Sequence, residues 1–201
     1  MKKFQALFLI SFLIALPLQA QTYHAGEKTV VSSTHRNWVE FSVAGARSFS
    51  RLEDGGGYTQ LSHQDGLSGR GLIMVYPWLA LGVEGTSFGN EKSIPYVSHF
   101  KQSRYGVVGK LTLTPDTQPK VYVLVGAGKT KREFEYEFSF TEETKTNYMM
   151  AAIGIEIALW KEIFIAAEAY GVYNGHRHIS RFFEQNHRFE PGLMGRLGIR
   201  F

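Results

Sequence analysis

The sequence contains no cysteine. That excludes disulfides and thiolate metal sites, so the chain is held together without crosslinks. It also lacks any run of Lys or Arg. With Lys2 and Lys3 set aside, 20 basic residues stand against 18 acidic ones. Such a balance leaves no electrostatic footprint for a nucleic acid. After residue 21 no stretch is long and apolar enough for a membrane helix, which takes roughly 20 such residues. A nucleotide loop is missing too. VLVGAGKTK (123–131) approaches the pattern G-x-x-x-x-G-K-[ST], but the pattern needs glycine where the chain has Val123. The segment reads as continuous strand, and nothing in the sequence implies a cofactor.

What is present starts with a leader. MKKFQALFLISFLIALPLQA has a basic start, an apolar run from Ala6 to Leu16, and a small-residue close before Gln21. This is the pattern of a signal peptide over 1–20, leaving a single domain over 21–201. The apolar run is short for a membrane anchor. With no Cys after the cleavage point, a lipid-anchored lipoprotein is excluded.

Eight alternating segments follow, at 37–51, 67–76, 78–88, 103–114, 119–138, 146–159, 162–176 and 187–201. Most are about ten residues or longer, which suits a tilted strand crossing a bilayer better than an ordinary soluble strand of five or six. Their connections sort strictly. Three are tight, around Pro77-Trp78, 114–118 and 160–162. Four are long and polar, at 54–66, 89–102, 139–146 and 176–187. An even-stranded transmembrane barrel with both termini in the periplasm has this alternation.

Parity assigns the faces, because successive side chains of a strand point oppositely. Met149, Ala151, Ile153, Ile155, Ile157 and Leu159 share one face of the sixth segment; Glu156 lies on the other. Ile163, Ile165 and Ala167 oppose Phe164 and Glu168. Val107, Leu111 and Leu113 oppose Arg104 and Lys110. One face is apolar throughout and the other carries charges spaced by small residues. In a soluble barrel the apolar face would point in; in a membrane barrel it faces lipid. Aromatics favour the second. Trp38, Trp78, Trp160 and Tyr76 gather at the tight-turn end. Phe88, Tyr105, Tyr173 and Phe189 gather at the long-loop end, as two interfacial girdles would. The chain closes on GLMGRLGIRF (192–201), an alternating segment ending in Phe201.

Three stretches carry a resemblance: KVYVLVGAG (120–128), AAIGIEIALWKEIFIAAEAYGVY (151–173) and the closing GLMGRLGIRF. The chain resembles the small eight-stranded outer-membrane β-barrels of the OmpX and OmpA-transmembrane-domain type over nearly all of 21–201. The resemblance implies an all-β, eight-stranded, antiparallel, up-and-down transmembrane β-barrel in the bacterial outer membrane. It implies that Phe201 is read by the barrel-assembly machinery. It also associates protruding strands with surface interactions. The outer half of the fifth segment, KTKREFEYEF (129–138), is expected to rise as an exposed edge. Its Lys129, Lys131 and Arg132 would meet either lipopolysaccharide phosphate or a protein partner.

Eight strands enclose a lumen only wide enough for side chains to fill. The inward set expected from parity is Glu40, Glu84, Lys110, Glu156, Glu168, Arg196 and Arg200, with Arg70 as a further candidate. Paired charges are tolerable there and unpaired ones costly, so an ion-pair network plugging the lumen is expected. A small passive pore is the alternative. HRHIS (176–180) suggests others. His176 and His178 share a face if extended, but sequence alone supplies no third metal ligand. The same stretch resembles the active site of outer-membrane lipid A deacylases, which carry H-x-S on the penultimate strand and a Glu on the last. On that resemblance Ser180 would be the nucleophile, His178 the base and Glu190 its orienting group. The family's Asn after the Ser is Arg181 here, and parity turns Glu190 and His178 inward. The main expectation is therefore a non-enzymatic barrel.

Overall fold

A computed structural model describes residues 38–54, 59–89, 97–137, 140–175, 183–185 and 189–201, with backbone alone for 50–54, 59–62 and 183–185. The strands are β1 (Val39–Asp54), β2 (Thr59–Tyr76), β3 (Leu79–Phe88), β4 (Val97–Thr112), β5 (Lys120–Tyr136), β6 (Phe140–Ala158), β7 (Ile163–Asn174), β8 (Phe183–Gln185) and β9 (Phe189–Arg200). Each long strand pairs antiparallel with its neighbours, and β1 pairs with both β2 and β9, so the sheet closes. The eight staves are β1 to β7 and β9. The short β8 continues the last stave along β1. Ser48 faces Gly192 and Leu52 faces Gln185, so four steps on β1 span seven on the returning chain.

The seam closes at the tight-turn end through the main chain. Trp38 N–H donates to Phe201 O at 2.6 Å, and Phe201 N–H donates to Val39 O at 3.0 Å. A closed barrel leaves no unpaired edge along its wall, which is what a strand protein needs where water is absent. The outer surface is apolar. Leu67, Met149, Val43, Val107, Ile73 and Val83 are all more than 60% exposed. Meanwhile Glu40, Arg70, Glu84, Lys110, Glu156 and Glu168 are 5% exposed or less. Charges inside and hydrocarbon outside make a surface for lipid, not water. Parity alone left these two solvents open; burial separates them.

The staves run further than their apolar alternation. β2 begins at Thr59, β4 at Val97 and β6 at Phe140, so much of the three preceding expected loops is paired strand. The reason is physical. Above the lipid belt both faces are polar or wet, so the apolar period fades, while main-chain pairing does not depend on side-chain polarity. β5 is no exposed edge: it pairs over its full length with β6, and from Thr112↔Tyr122 up to Val97↔Tyr136 with β4. Among the described residues its neighbours carry the edges instead. β3 stops opposite Gln102 and β7 stops opposite Tyr148. Phe88 also departs from expectation. It is 1% exposed and turned inward, sharing the parity of Glu84. The upper girdle is therefore Tyr105, Tyr173 and Phe189, each about half exposed. At the lower end Trp78 stacks on Tyr76 with centroids 5.3 Å apart.

Candidate functional site: the barrel interior

Every second residue of each stave enters the lumen, so the interior is built in levels by strand register. Nearest the tight turns, Lys110 (β4) reaches across to Glu40 (β1) and Glu156 (β6). Its Nζ lies 3.0 Å from Glu40 Oε2 and 2.8 Å from Glu156 Oε2. Arg200 (β9) donates to Glu40 Oε2 from Nε at 3.1 Å and Nη2 at 3.0 Å, and pairs with Glu156. The Phe164 ring lies 4.2 Å from the Arg200 guanidinium carbon, and the Tyr122 ring 4.6 Å from Lys110 Nζ. Two carboxylates here meet two cations.

The next level is built around Glu168 (β7). Arg70 (β2) donates Nη1 to Glu168 Oε1 at 2.5 Å and Nη2 to Oε2 at 2.9 Å, a two-point fork. Its Nε bonds Glu84 (β3) at 2.5 Å. Arg196 (β9) donates to Glu168 at 3.1 Å and lies 3.3 Å from Glu84. Tyr122 Oη donates to Glu168 at 2.7 Å, and Ser68 Oγ to Glu84 at 3.2 Å. This level also holds two carboxylates and two cations. Apolar side chains, among them Leu72, Val108, Leu124, Met150, Val172 and Met194, pack in one cluster among the charged groups.

A third polar level lies towards the long-loop end. Glu190 (β9) accepts from Arg132 Nη2 at 2.9 Å and from Asn174 Nδ2 at 2.8 Å, and pairs with Arg104. Arg132 Nε donates to Gln102 Oε1 at 2.9 Å. The Phe88 ring lies 4.9 Å from the Arg104 guanidinium carbon.

Glycine makes room for the inward aromatics. Tyr122 faces Gly154, Phe164 faces Gly198 and Tyr170 faces Gly192 across their strand pairs. A Cβ at Gly154 or Gly198 would collide with the opposing ring.

The residues expected from parity are all on the inner wall, and Glu40, Glu84, Lys110, Glu156, Glu168, Arg196 and Arg200 are each at most 7% exposed. Arg70 is with them at 3%. Arg132 is corrected: at 1% exposed it belongs to the lumen and not to the outer rim. The outer face of that region carries Lys129 and a small ladder. Lys131 bonds Glu133 at 2.5 Å and Glu143 at 3.0 Å, and Lys145 bonds Glu143 at 2.8 Å. Lys145 and then Lys131 hold the Glu143 carboxyl below its ordinary value. Glu190 faces the lumen at 2% exposure, whereas His178, Ser180 and His176 lie outside the described residues. Phe201 sits at the seam with its side chain outward, 62% exposed. Sequence reasoning put Arg104 on the charged face and turned Glu190 inward, but missed that Arg132, Gln102 and Asn174 join them in one level. Even parity on β4, β5 and β7 was the available signal, shared with Lys110, Tyr122 and Glu168.

Closed antiparallel staves with charges inside and an apolar belt outside define a small eight-stranded transmembrane β-barrel. The proteins it is similar to are outer-membrane barrels. The Neisserial surface protein A superposes with a TM-score of 0.61 at 13% identity, over 80% of this chain and 97% of that one. Ail, the attachment invasion locus protein of Yersinia pestis, gives 0.52 at 15%, over 83% and 100%. The outer membrane protein OprG of Pseudomonas aeruginosa gives 0.51 at 10%, over 83% and 97%. At these identities the likeness is one of fold. No protein-family model matches the chain, and no curated protein sequence does.

Proposed function

We propose that this chain is an integral protein of the bacterial outer membrane, exported with removal of 1–20, whose lumen is plugged by its own side chains. It acts without catalysis, as a structural or surface-interaction protein, through its long-loop end. The observation that carries the reading is the pair of charge-balanced levels around Lys110 and Glu168. Their ion pairs join β1, β4, β6 and β9 at one height and β2, β3, β7 and β9 at the next. Side chains bonded across an eight-stranded lumen leave little room for a water path. Exposed Lys101, Lys129 and Lys145 around the upper wall suit lipopolysaccharide phosphates. A neighbour named for attachment supports a surface role. The barrel-assembly machinery is the partner expected to read Phe201.

The test is electrical. The purified barrel in planar bilayers is expected to be silent; stepwise conductance would establish the passive pore instead. The esterase reading has its own assay. Acyl release from lipid A that disappears in Ser180→Ala would replace the non-enzymatic reading. The lumenal bonds of Glu190 to Arg132 and Asn174 weigh against its serving a lipid-facing histidine.

A further inference from the structure

The third polar level differs from the two beneath it. The ion pairs of each lower level join two cations to two carboxylates, with half-buried Lys120 beside the lowest. In the upper one, among the described residues, Arg104 and Arg132 share Glu190. Arg104 is 5% exposed and Arg132 1%. A surplus buried charge without a counter-charge is expensive, so proteins seldom leave one.

A second observation falls at the same height. Among the described residues, the buried side-chain atoms without a hydrogen-bond partner include Arg104 Nε, Arg132 Nη1, Gln64 Nε2, Ser48 Oγ and Thr146 Oγ1. Register brings them together. Gln102 pairs with Arg132, Gln64 with Ser48, and Thr146 with Thr130. Ser48 faces Gly192, two residues from Glu190. All five atoms can donate. The lower levels contribute one unpartnered atom, the acceptor Glu156 Oε1. A buried donor left unpaired carries its full desolvation cost. Water would satisfy the donors but leave the charge, whereas an anion answers both.

We propose that the upper lumen between Arg104 and Arg132 binds a small oxyanion, of the phosphate or sulfate class. The chemistry matches group by group. An oxyanion presents only acceptors, and the vacant groups are two guanidinium N–H edges, an amide N–H and two hydroxyls. Arginine forks suit such an anion because two N–H groups meet two oxygens. Their planes are already held: Arg104 by Phe88 and Glu190, Arg132 by Gln102 and Glu190. The bound anion would complete the lumenal plug, but the site stands whether or not the barrel conducts. Conductance tests one and anion binding the other.

The experiment uses the refolded full-length mature barrel in detergent free of lipopolysaccharide. Labelled inorganic phosphate is measured by equilibrium dialysis at constant ionic strength. The expected result is saturable binding of one phosphate per barrel. Arg132→Gln and Arg104→Gln should each weaken it about tenfold or more, the loss of one charge-assisted contact. Arg47→Gln, an exposed arginine paired with Asp65, should not change it. Each lumenal variant leaves one arginine against Glu190, so the level becomes charge-balanced and the barrel should still show its heat-dependent gel shift. No saturable binding by the wild-type protein, or binding by either lumenal variant as tight as the wild type's, overturns the site. A further arm adds lipid A micelles to the phosphate-loaded protein. Displacement identifies a lipid phosphate as the source and persistence a free anion, and either result supports the site.

Discussion

Glu168 is the carboxylate around which the second lumenal level is built. It accepts from Arg70 twice, from Arg196 and from Tyr122, and its side chain is 1% exposed. Glu168→Ala would leave two buried guanidiniums to share Glu84 alone and would remove the acceptor of the Tyr122 phenol. Breaking one partner out of a buried ion-pair set costs about 3–5 kcal/mol. The expected outcome is a lower urea midpoint for the barrel in detergent, followed by tryptophan fluorescence. Glu168→Gln should lose less, since its amide oxygen still accepts one bond. An unchanged midpoint in Glu168→Ala would mean that water already enters this level. Parity put Glu168 on the charged face, opposite the apolar Ala167 and Ala169, and the membrane reading turned that face inward. Which cations would meet it was not legible, since Arg70 and Arg196 depend on how three strands align. Nor was the seat that Gly154 gives the Tyr122 ring, which appears only once the two strands are in register.

At the scale of elements, legibility follows the solvent. Within the belt one side of each strand touches lipid and the other a packed lumen, so apolar and polar residues alternate sharply. β3, β7 and β9, which hardly leave the belt, match their sequence segments closely. β1, β2, β4 and β6 rise above it and were read short. β6 has 19 residues. At about 3.3 Å per residue and a tilt near 45°, such a strand climbs roughly 45 Å, against an apolar band of about 25 Å. The upper β4–β6 sheet is packed on its inner side by Phe100, Phe134 and Tyr136, with Phe100 and Phe134 centroids 4.6 Å apart. β5 is paired on both sides there, while β6 above Asn147 is paired only with β5 among the described residues. Amide hydrogen exchange should therefore divide the sheet. Amides of β5 from Thr130 to Glu135 should be protected on both alternating sets. In β6 from Thr141 to Thr146 alternate amides should exchange rapidly. Uniform fast exchange across β5 would show that the raised sheet is not formed.

For the molecule as a whole, closure and delivery are separable demands: Phe201 takes part in the first, and its proposed part in the second can be tested apart. Closure uses its main chain: the carbonyl accepts from Trp38 and Val39, and the N–H donates to Val39. None of these bonds needs the phenyl ring, which points away from the lumen beside Trp38 and Val39 of the first stave. Phe201→Ala should therefore leave the refolded barrel nearly intact. In detergent its gel shift should persist, and its unfolding free energy from urea titration should fall by no more than about 1 kcal/mol, since a mostly exposed ring loses little burial on truncation. In cells the outcome should differ if the ring is what the assembly machinery reads. The folded fraction in the membrane should then drop severalfold while refolding in vitro is unaffected. A parallel fall in both experiments would make the ring a structural rivet at the lipid boundary. No fall in either would remove Phe201 from the delivery step and leave only its backbone, closing the seam against Trp38 and Val39.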